Sequence, residues 1–294
     1  MDEHLKSIDK QIEFNQGKNV FLDDNETKLR FVDETIKAIS NIGELNPGDE
    51  NILTDYATDK AIEEFCRINQ YYTFNPQAKN DLREIYSKLF SVIKAGKSPL
   101  EAIEKDHYEN LKRWLQKTNP FAEKIYAGAD RDINPVACSE YGAELQLDIL
   151  HLDIRTLTNP VLDIGCGKHG TLVGYFRQLG FDATGIDRFT FPEATLINSD
   201  WLEFAYGTEK WGTITSNLGF SNHFKHHNLR DDGNYMEYAR KYMDILKSLK
   251  TGGKFHYAPD LPFIERYLDH QQFEIEQFEI GGFDFKTTVI KRLK

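Results

Sequence analysis

The chain has 294 residues, 40% of them hydrophobic and 28% charged, which suits one large domain or two ordinary ones around a sizeable core. Its net charge is −11, from 36 Lys/Arg and 47 Asp/Glu. Neither half carries the basic excess that draws a protein onto a phosphate backbone, so nucleic acid is a poor partner.

No apolar run approaches the roughly 18 residues of a membrane helix, and the charged start, Met1-Asp2-Glu3-His4-Leu5-Lys6, does not read as a secretory leader. Cys66, Cys138 and Cys166 are widely spaced and lack CxxC pairing, which argues for a reducing compartment and against a zinc or disulfide framework. The expected location is cytoplasmic, with no metal.

The first 120 residues read as a helical domain. From Asp24 to Leu45, Leu29, Val32, Ile36, Ile39 and Ile42 recur at the three-to-four spacing of one buried stripe. Asn75-Pro76 opens a second helical stretch through Leu82, Tyr86, Leu89 and Ile93, closed by Gly96. Ser98-Pro99-Leu100-Glu101 predicts a helix start with Ser98 as N-cap and Glu101 completing a capping box, and that helix runs to about Lys117.

From residue 121 to 294 the texture changes. After a short helix from Glu140 to Leu150, with Ser139 as its cap, apolar strands alternate with helices. Strands are predicted at Val161–Ile164, Asp182–Ile186, Ala194–Asn198, Gly212–Ser216 and Gly253–Tyr257, with helices at Thr171–Leu179 and Tyr235–Leu249. That alternation implies crossover connections and a parallel sheet covered on both faces. At the end, Phe273–Ile280 and Phe283–Ile290 flank Gly281-Gly282, a hairpin signal that sends the last strand antiparallel.

The informative stretch is Val161-Leu-Asp163-Ile-Gly165-Cys-Gly167-Lys-His-Gly170, at the end of a buried strand and the start of a helix. Gly165 and Gly167 let the backbone turn tightly and approach a ligand, and the helix start presents free N–H groups. Asp187, twenty residues after Gly167, ends the second strand where an acid can bind a ribose diol. Dinucleotide-binding domains share both features. Three details move the balance away from a dinucleotide: Asp163 two residues before the first glycine, where a cationic ligand is welcome and a pyrophosphate is not, a further acid at Asp200, and the closing antiparallel hairpin.

Over about residues 139–294 the chain resembles the class I S-adenosylmethionine-dependent methyltransferases, on Leu162–Gly167, Gly185-Ile-Asp187, Ser199-Asp200-Trp201 and the Phe273–Val289 hairpin. The resemblance implies an α/β, Rossmann-like seven-stranded sheet, mostly parallel with an antiparallel last strand, here preceded by an all-α N-terminal domain. It also implies S-adenosylmethionine as cofactor and S-adenosylhomocysteine as product. By position, Asp163, Gly165 and Gly167 match the loop under the methionine portion. Asp187 matches the ribose acceptor with Arg188 beside it, and Asp200 with Trp201 the adenine contact. Asn217 and Leu218 match the cofactor's reactive end, and Tyr141 stands just before the loop. Gly170 lies outside the pattern and reads as a packing residue.

The acceptor belongs beyond the carboxyl ends of the strands. After the fourth strand, Asn217–Asn228 reads as a polar loop with three histidines and three asparagines. His223, closest to the strand end, is the candidate base. Asp260 after the fifth strand is a second acceptor-side candidate, Tyr126 is a further candidate contact, and His256 reads as a satisfied core histidine. The helical domain is expected to act as lid, acceptor selector or dimer contact. The leading reading is N- or O-methylation of a small molecule. RNA or protein methylation, a non-catalytic cofactor-binding scaffold or sensor, and a nicotinamide-dependent oxidoreductase remain open.

Overall fold

The computed structural model describes residues 1–22, 29–40, 46–127, 141–190 and 193–294, and divides the chain into two compact units, Met1–Ala137 and Cys138–Lys294. The first unit is helical: α1 (Asp2–Phe14), α2 (Asp33–Ser40), α3 (Pro47–Ile68), α4 (Pro76–Ala95), α5 (Leu100–Thr118) and α6 (Phe121–Tyr126). Asn-Pro pairs start two of these helices by one device. Asn46 and Asn75 accept the amides of Asp49 and Ala78 at 3.0 and 2.8 Å, while Pro47 and Pro76 take the first helical position, where a missing N–H costs nothing. Gly96, at φ +62°, closes α4 in the left-handed conformation.

Two expectations need amendment here. The helix expected over Asp24–Leu45 is seen only as α2: residues 29–32 are not helical, and residues 23–28 and 41–45 lie outside the described residues. Ser98 does not cap α5: the helix starts at Leu100 with Pro99 in the cap position, and proline has no side-chain acceptor to offer. Ser139 also lies outside the described residues.

The second unit begins with α7 (Ala143–Ile149) and then alternates: β1 (Val161–Ile164), α8 (Thr171–Gln178), β2 (Ala183–Asp187), β3 (Leu196–Asn198), β4 (Trp211–Asn217), α9 (Phe220–Asn228), α10 (Tyr235–Ser248), β5 (Leu249–Ala258), α11 (Pro262–Glu265), β6 (Phe273–Glu279) and β7 (Lys286–Arg292). The sheet order is β3-β2-β1-β4-β5-β7-β6. Strands β1 to β5 run parallel, and β7 pairs antiparallel with both β5 and β6, so the last strand inserts between its two predecessors. This is the Rossmann-like seven-stranded sheet, with an antiparallel last strand, that the resemblance implied.

All four residues of β1 are buried because both faces are covered. On one face Leu162, Ile164 and Ile214 pack with Phe220, Phe224, Tyr238 and Tyr242; on the other Val161 and Ala183 pack with Leu172, Val173 and Phe176. The polar stretch after β4 is not a loop. Phe220 and Phe224, four residues apart, anchor it to the core as α9 and turn His223 and His227 inward with them. A buried carboxylate ties the antiparallel edge together. Glu265 accepts the Tyr257 hydroxyl (2.6 Å), the Leu261 amide (2.7 Å), the Thr288 hydroxyl (2.9 Å) and the Gln277 side-chain amide (2.8 Å).

Candidate active site at the carboxyl ends of the parallel strands

The order of the parallel strands reverses direction between β1 and β4, and in open α/β sheets the crevice beyond that point receives ligands. The chain leaves β1 through Gly165 (φ +76°) and Gly167 (φ +75°), left-handed values that a Cβ would strain. At Gly165 a Cβ would also stand 3.3 Å from Trp201 Cζ3 and 3.6 Å from Gly219 Cα, so three segments converge there. Gly170 has a packing reason, as expected: a Cβ there would meet Leu196 Cδ2 at 2.5 Å.

Asp187 turns toward this loop. Its Oδ2 accepts the Gly167 amide at 3.1 Å and its Oδ1 accepts the Phe189 amide at 3.2 Å, while the Gly165 and Cys166 amides donate to the Ile186 carbonyl at 2.8 and 3.1 Å. The end of β2 therefore sets the shape of the glycine turn. Each Asp187 oxygen retains acceptor capacity beyond its one amide.

Asp163 lies one strand over and is only 2% exposed. Its Oδ1 accepts the Thr215 hydroxyl at 2.8 Å, but its Oδ2 is buried with no hydrogen-bond partner. Burial pushes this carboxyl up to about 7, against the pull of Thr215 and with a further push from Asp187. Two residues beyond Thr215 on the same face of β4, Asn217 Oδ1 is also buried without a partner. Next to it Leu218 adopts φ +54°, rare for a residue with a branched side chain, while its amide donates to the Ala258 carbonyl at 2.9 Å. Tyr141 packs against the cluster of Ile149, Leu218 and Ala258, which brings it to the ends of β4 and β5.

Asp200 Oδ1 accepts the Leu202 amide at 2.9 Å and so shapes the turn after β3. Trp201 is 5% exposed, held between the Gly165 turn and His223, whose ring meets it edge-on at 4.8 Å; the Arg188 guanidinium lies 5.7 Å from the indole centroid. His223 is 2% exposed, and burial together with the Arg188 charge lowers its basicity well below that of an ordinary histidine. It remains neutral at neutral pH, shielded by Trp201. Asp260 Oδ1 accepts the Lys286 amide at 3.0 Å, joining the end of β5 to the start of β7.

The sequence thus gathers Asp163, Gly165, Gly167, Asp187, Arg188, Trp201, Asn217 and Leu218 around one turn. Tyr126 is packed elsewhere, in the core of the helical unit, with its hydroxyl accepting from Asn69 at 2.9 Å. His256 is a core histidine whose Nδ1 meets the Leu150 carbonyl at 3.2 Å. His223 and His227 are an i, i+4 pair on α9, contrary to the reading of that stretch as irregular, yet among the described residues no cluster of three metal-binding side chains forms. The orphaned state of Asp163 and Asn217 is invisible in sequence, since it depends on which neighbours fail to reach them.

No family model matches this chain, and no curated protein sequence matches it. Solved structures do. The chain is similar to the glycopeptide N-methyltransferase MtfA complexed with S-adenosylhomocysteine (18% identity over 60% of this chain and 98% of that one, TM-score 0.36). It is similar to the Burkholderia thailandensis 1,6-didemethyltoxoflavin-N1-methyltransferase (16% identity, 46% of this chain and 71% of that one, TM-score 0.33). A third is the N-methyltransferase NodS from Bradyrhizobium japonicum (16% identity, 44% and 74%, TM-score 0.31).

Proposed function

We propose that the C-terminal unit binds S-adenosylmethionine and that the chain transfers its methyl group to a small-molecule acceptor. The observation that carries this reading is the pair of buried, unpartnered acceptors, Asp163 Oδ2 and Asn217 Oδ1, beside the glycine turn. Buried acceptors left open are costly, and a buried carboxylate more so. An ammonium group offers donors to both and a charge that keeps Asp163 ionised, so the amino-acid end of this cofactor fits. A pyrophosphate does not, because it would bring negative charge against Asp163.

In this reading Asp187 accepts the ribose hydroxyls with its remaining lone pairs, and Asp200 takes the adenine amine on the oxygen not used by Leu202. Trp201 and Arg188 wall the adenine, and Tyr141, Asn217 and Leu218 border the reactive end. When bound, S-adenosylmethionine supplies an electrophilic methyl group on a sulfonium, with S-adenosylhomocysteine as the departing thioether. The protein's part is to hold the acceptor's lone pair in line with that bond and to exclude water. Where the acceptor must shed a proton, Asp260, half-buried at the end of β5, is the more accessible of the two candidates, since His223 is enclosed against Trp201. His223 serves instead as the support on which Trp201 rests.

The test is a thermal melt with and without S-adenosylmethionine, followed by detection of S-adenosylhomocysteine after incubation with a small-molecule extract. A stabilisation by cofactor that Asp187→Ala abolishes is expected. No shift at millimolar cofactor would refute the binding site; a shift without turnover on any extract would reduce the chain to a cofactor-binding module.

A further inference from the structure

The helical unit contains a partly open pocket of about 140 Å³ lined by α1, α2, α3, α4 and α5. It exists because α3 presents Ala57 and Ala61, and α1 presents Ser7, where larger side chains would close the gap. Most of the wall is apolar, including Leu53 (1% exposed) and Ile93 (7%), with Gln11, Asn15, Lys18 and Glu64 also on the lining. Among the described lining residues, one buried polar side chain is left unpartnered. His107, 6% exposed, lines the cavity with Nδ1 buried and without a hydrogen-bond partner, among the rings of Phe31, Tyr86 and Tyr108. Such orphaned groups are rare in native interiors and call for an explanation.

We propose that this cavity is a second ligand site, for an uncharged single-ring aromatic molecule bearing one hydroxyl, with the hydroxyl paired to His107 Nδ1. Size sets the ring: an apolar void near 150 Å³ accepts a benzene-sized guest. The hydroxyl follows from the histidine. Burial lowers His107 to about 4, so the imidazole is neutral, and a hydroxyl can donate or accept and thus suits either tautomer. Charge is excluded because the two charged side chains of the lining are already engaged. Glu64 accepts the Gly17 amide and pairs with Arg67, while Lys18 lies 3.6 Å over the Phe14 ring and donates to Asn15. This site goes beyond the methyl-transfer reading and does not depend on it.

Calorimetric titration of the full chain with phenol, toluene and benzoate tests the assignment. Phenol should saturate one site about tenfold more tightly than toluene, the worth of one added hydrogen bond, and benzoate should give no saturable heat. Ala61→Leu, which fills the void, should abolish phenol binding, and His107→Phe should bring phenol down to the affinity of toluene. A cooperative melt and a wild-type far-UV circular dichroism spectrum identify a folded variant; if Ala61→Leu fails that check, Ala57→Val replaces it. No saturable binding of either neutral ring at millimolar concentration would overturn the proposal. So would phenol binding indifferent to the filled cavity, or phenol no tighter than toluene.

Discussion

Asp163→Asn should stabilise the cofactor-free protein at alkaline pH while weakening cofactor binding, a combination that ordinary core damage does not produce. The amide has the same shape and keeps an oxygen for the Thr215 hydroxyl, so the substitution removes charge and little else. The carboxyl sits at about 7 in the folded chain against its ordinary 3.8. Between those values the folded state keeps a proton that the unfolded state has lost, so stability falls as pH rises through this window. At 1.36 kcal/mol per pH unit the full penalty above pH 7 is about 4 kcal/mol. Denaturant unfolding of cofactor-free protein should show wild type losing stability from about pH 4 to pH 7 relative to the variant, with the two nearly equal below about pH 4. With S-adenosylmethionine the order reverses. Loss of a charge-assisted hydrogen bond of about 1.5–3 kcal/mol should weaken the variant's binding by roughly ten- to a hundred-fold. Wild-type affinity itself should rise from pH 6 to pH 8 as Asp163 ionises. If the variant is no more stable than wild type at pH 8, or binds cofactor equally well, Asp163 does not face an ammonium and the reasoning fails.

Gly165→Ala should cost about 1–2 kcal/mol for its left-handed backbone and, by crowding Trp201, remove measurable cofactor binding in a titration. His223→Phe should keep methyl transfer within about tenfold of wild type when S-adenosylhomocysteine release is measured, because the ring's part is packing; a loss of the 10²–10⁴-fold typical of a missing base would reinstate it as one. Glu265→Ala should destabilise by about 3–5 kcal/mol in denaturant unfolding, since three buried donors and the exposed Gln277 amide lose their acceptor, with cofactor affinity per folded molecule unchanged.

Much of the second unit was legible because its signals are local. β1 is a short apolar run bounded by turn residues, the later part of β5 reads as strand although its first residues do not, and Gly281-Gly282 marks the hairpin that carries β7 back between β5 and β6. What escaped reading depends on distant partners. The residues of α9 look polar in sequence, and their helical character rests on Phe220 and Phe224 finding the far side of the core. His223 was attractive for its titration range, but only the fold shows that burial and the Arg188 charge take that property away. Ser98 failed as a cap because the helix starts at Leu100, one residue beyond the expected first position at Pro99, which leaves Pro99 in the cap position. Glu265 gave no signal at all: four donors from positions 257, 261, 277 and 288 meet it only after α11, β5, β6 and β7 assemble.

Glu265 and Asp163 pose the same physical problem and resolve it differently. Both are carboxyl groups removed from water inside one sheet. The first is enclosed by four donors, so its burial is balanced within the protein and its role ends with holding the antiparallel edge. The second has a single donor, an open oxygen, a neighbouring open amide oxygen at Asn217, and a strained Leu218 beside it. A chain shaped by stability alone would convert Asp163 to a neutral residue. An open carboxyl oxygen, an open amide oxygen and a left-handed Leu218 gathered at the carboxyl ends of β1 and β4 support the proposal that a bound cation completes what the fold leaves open there.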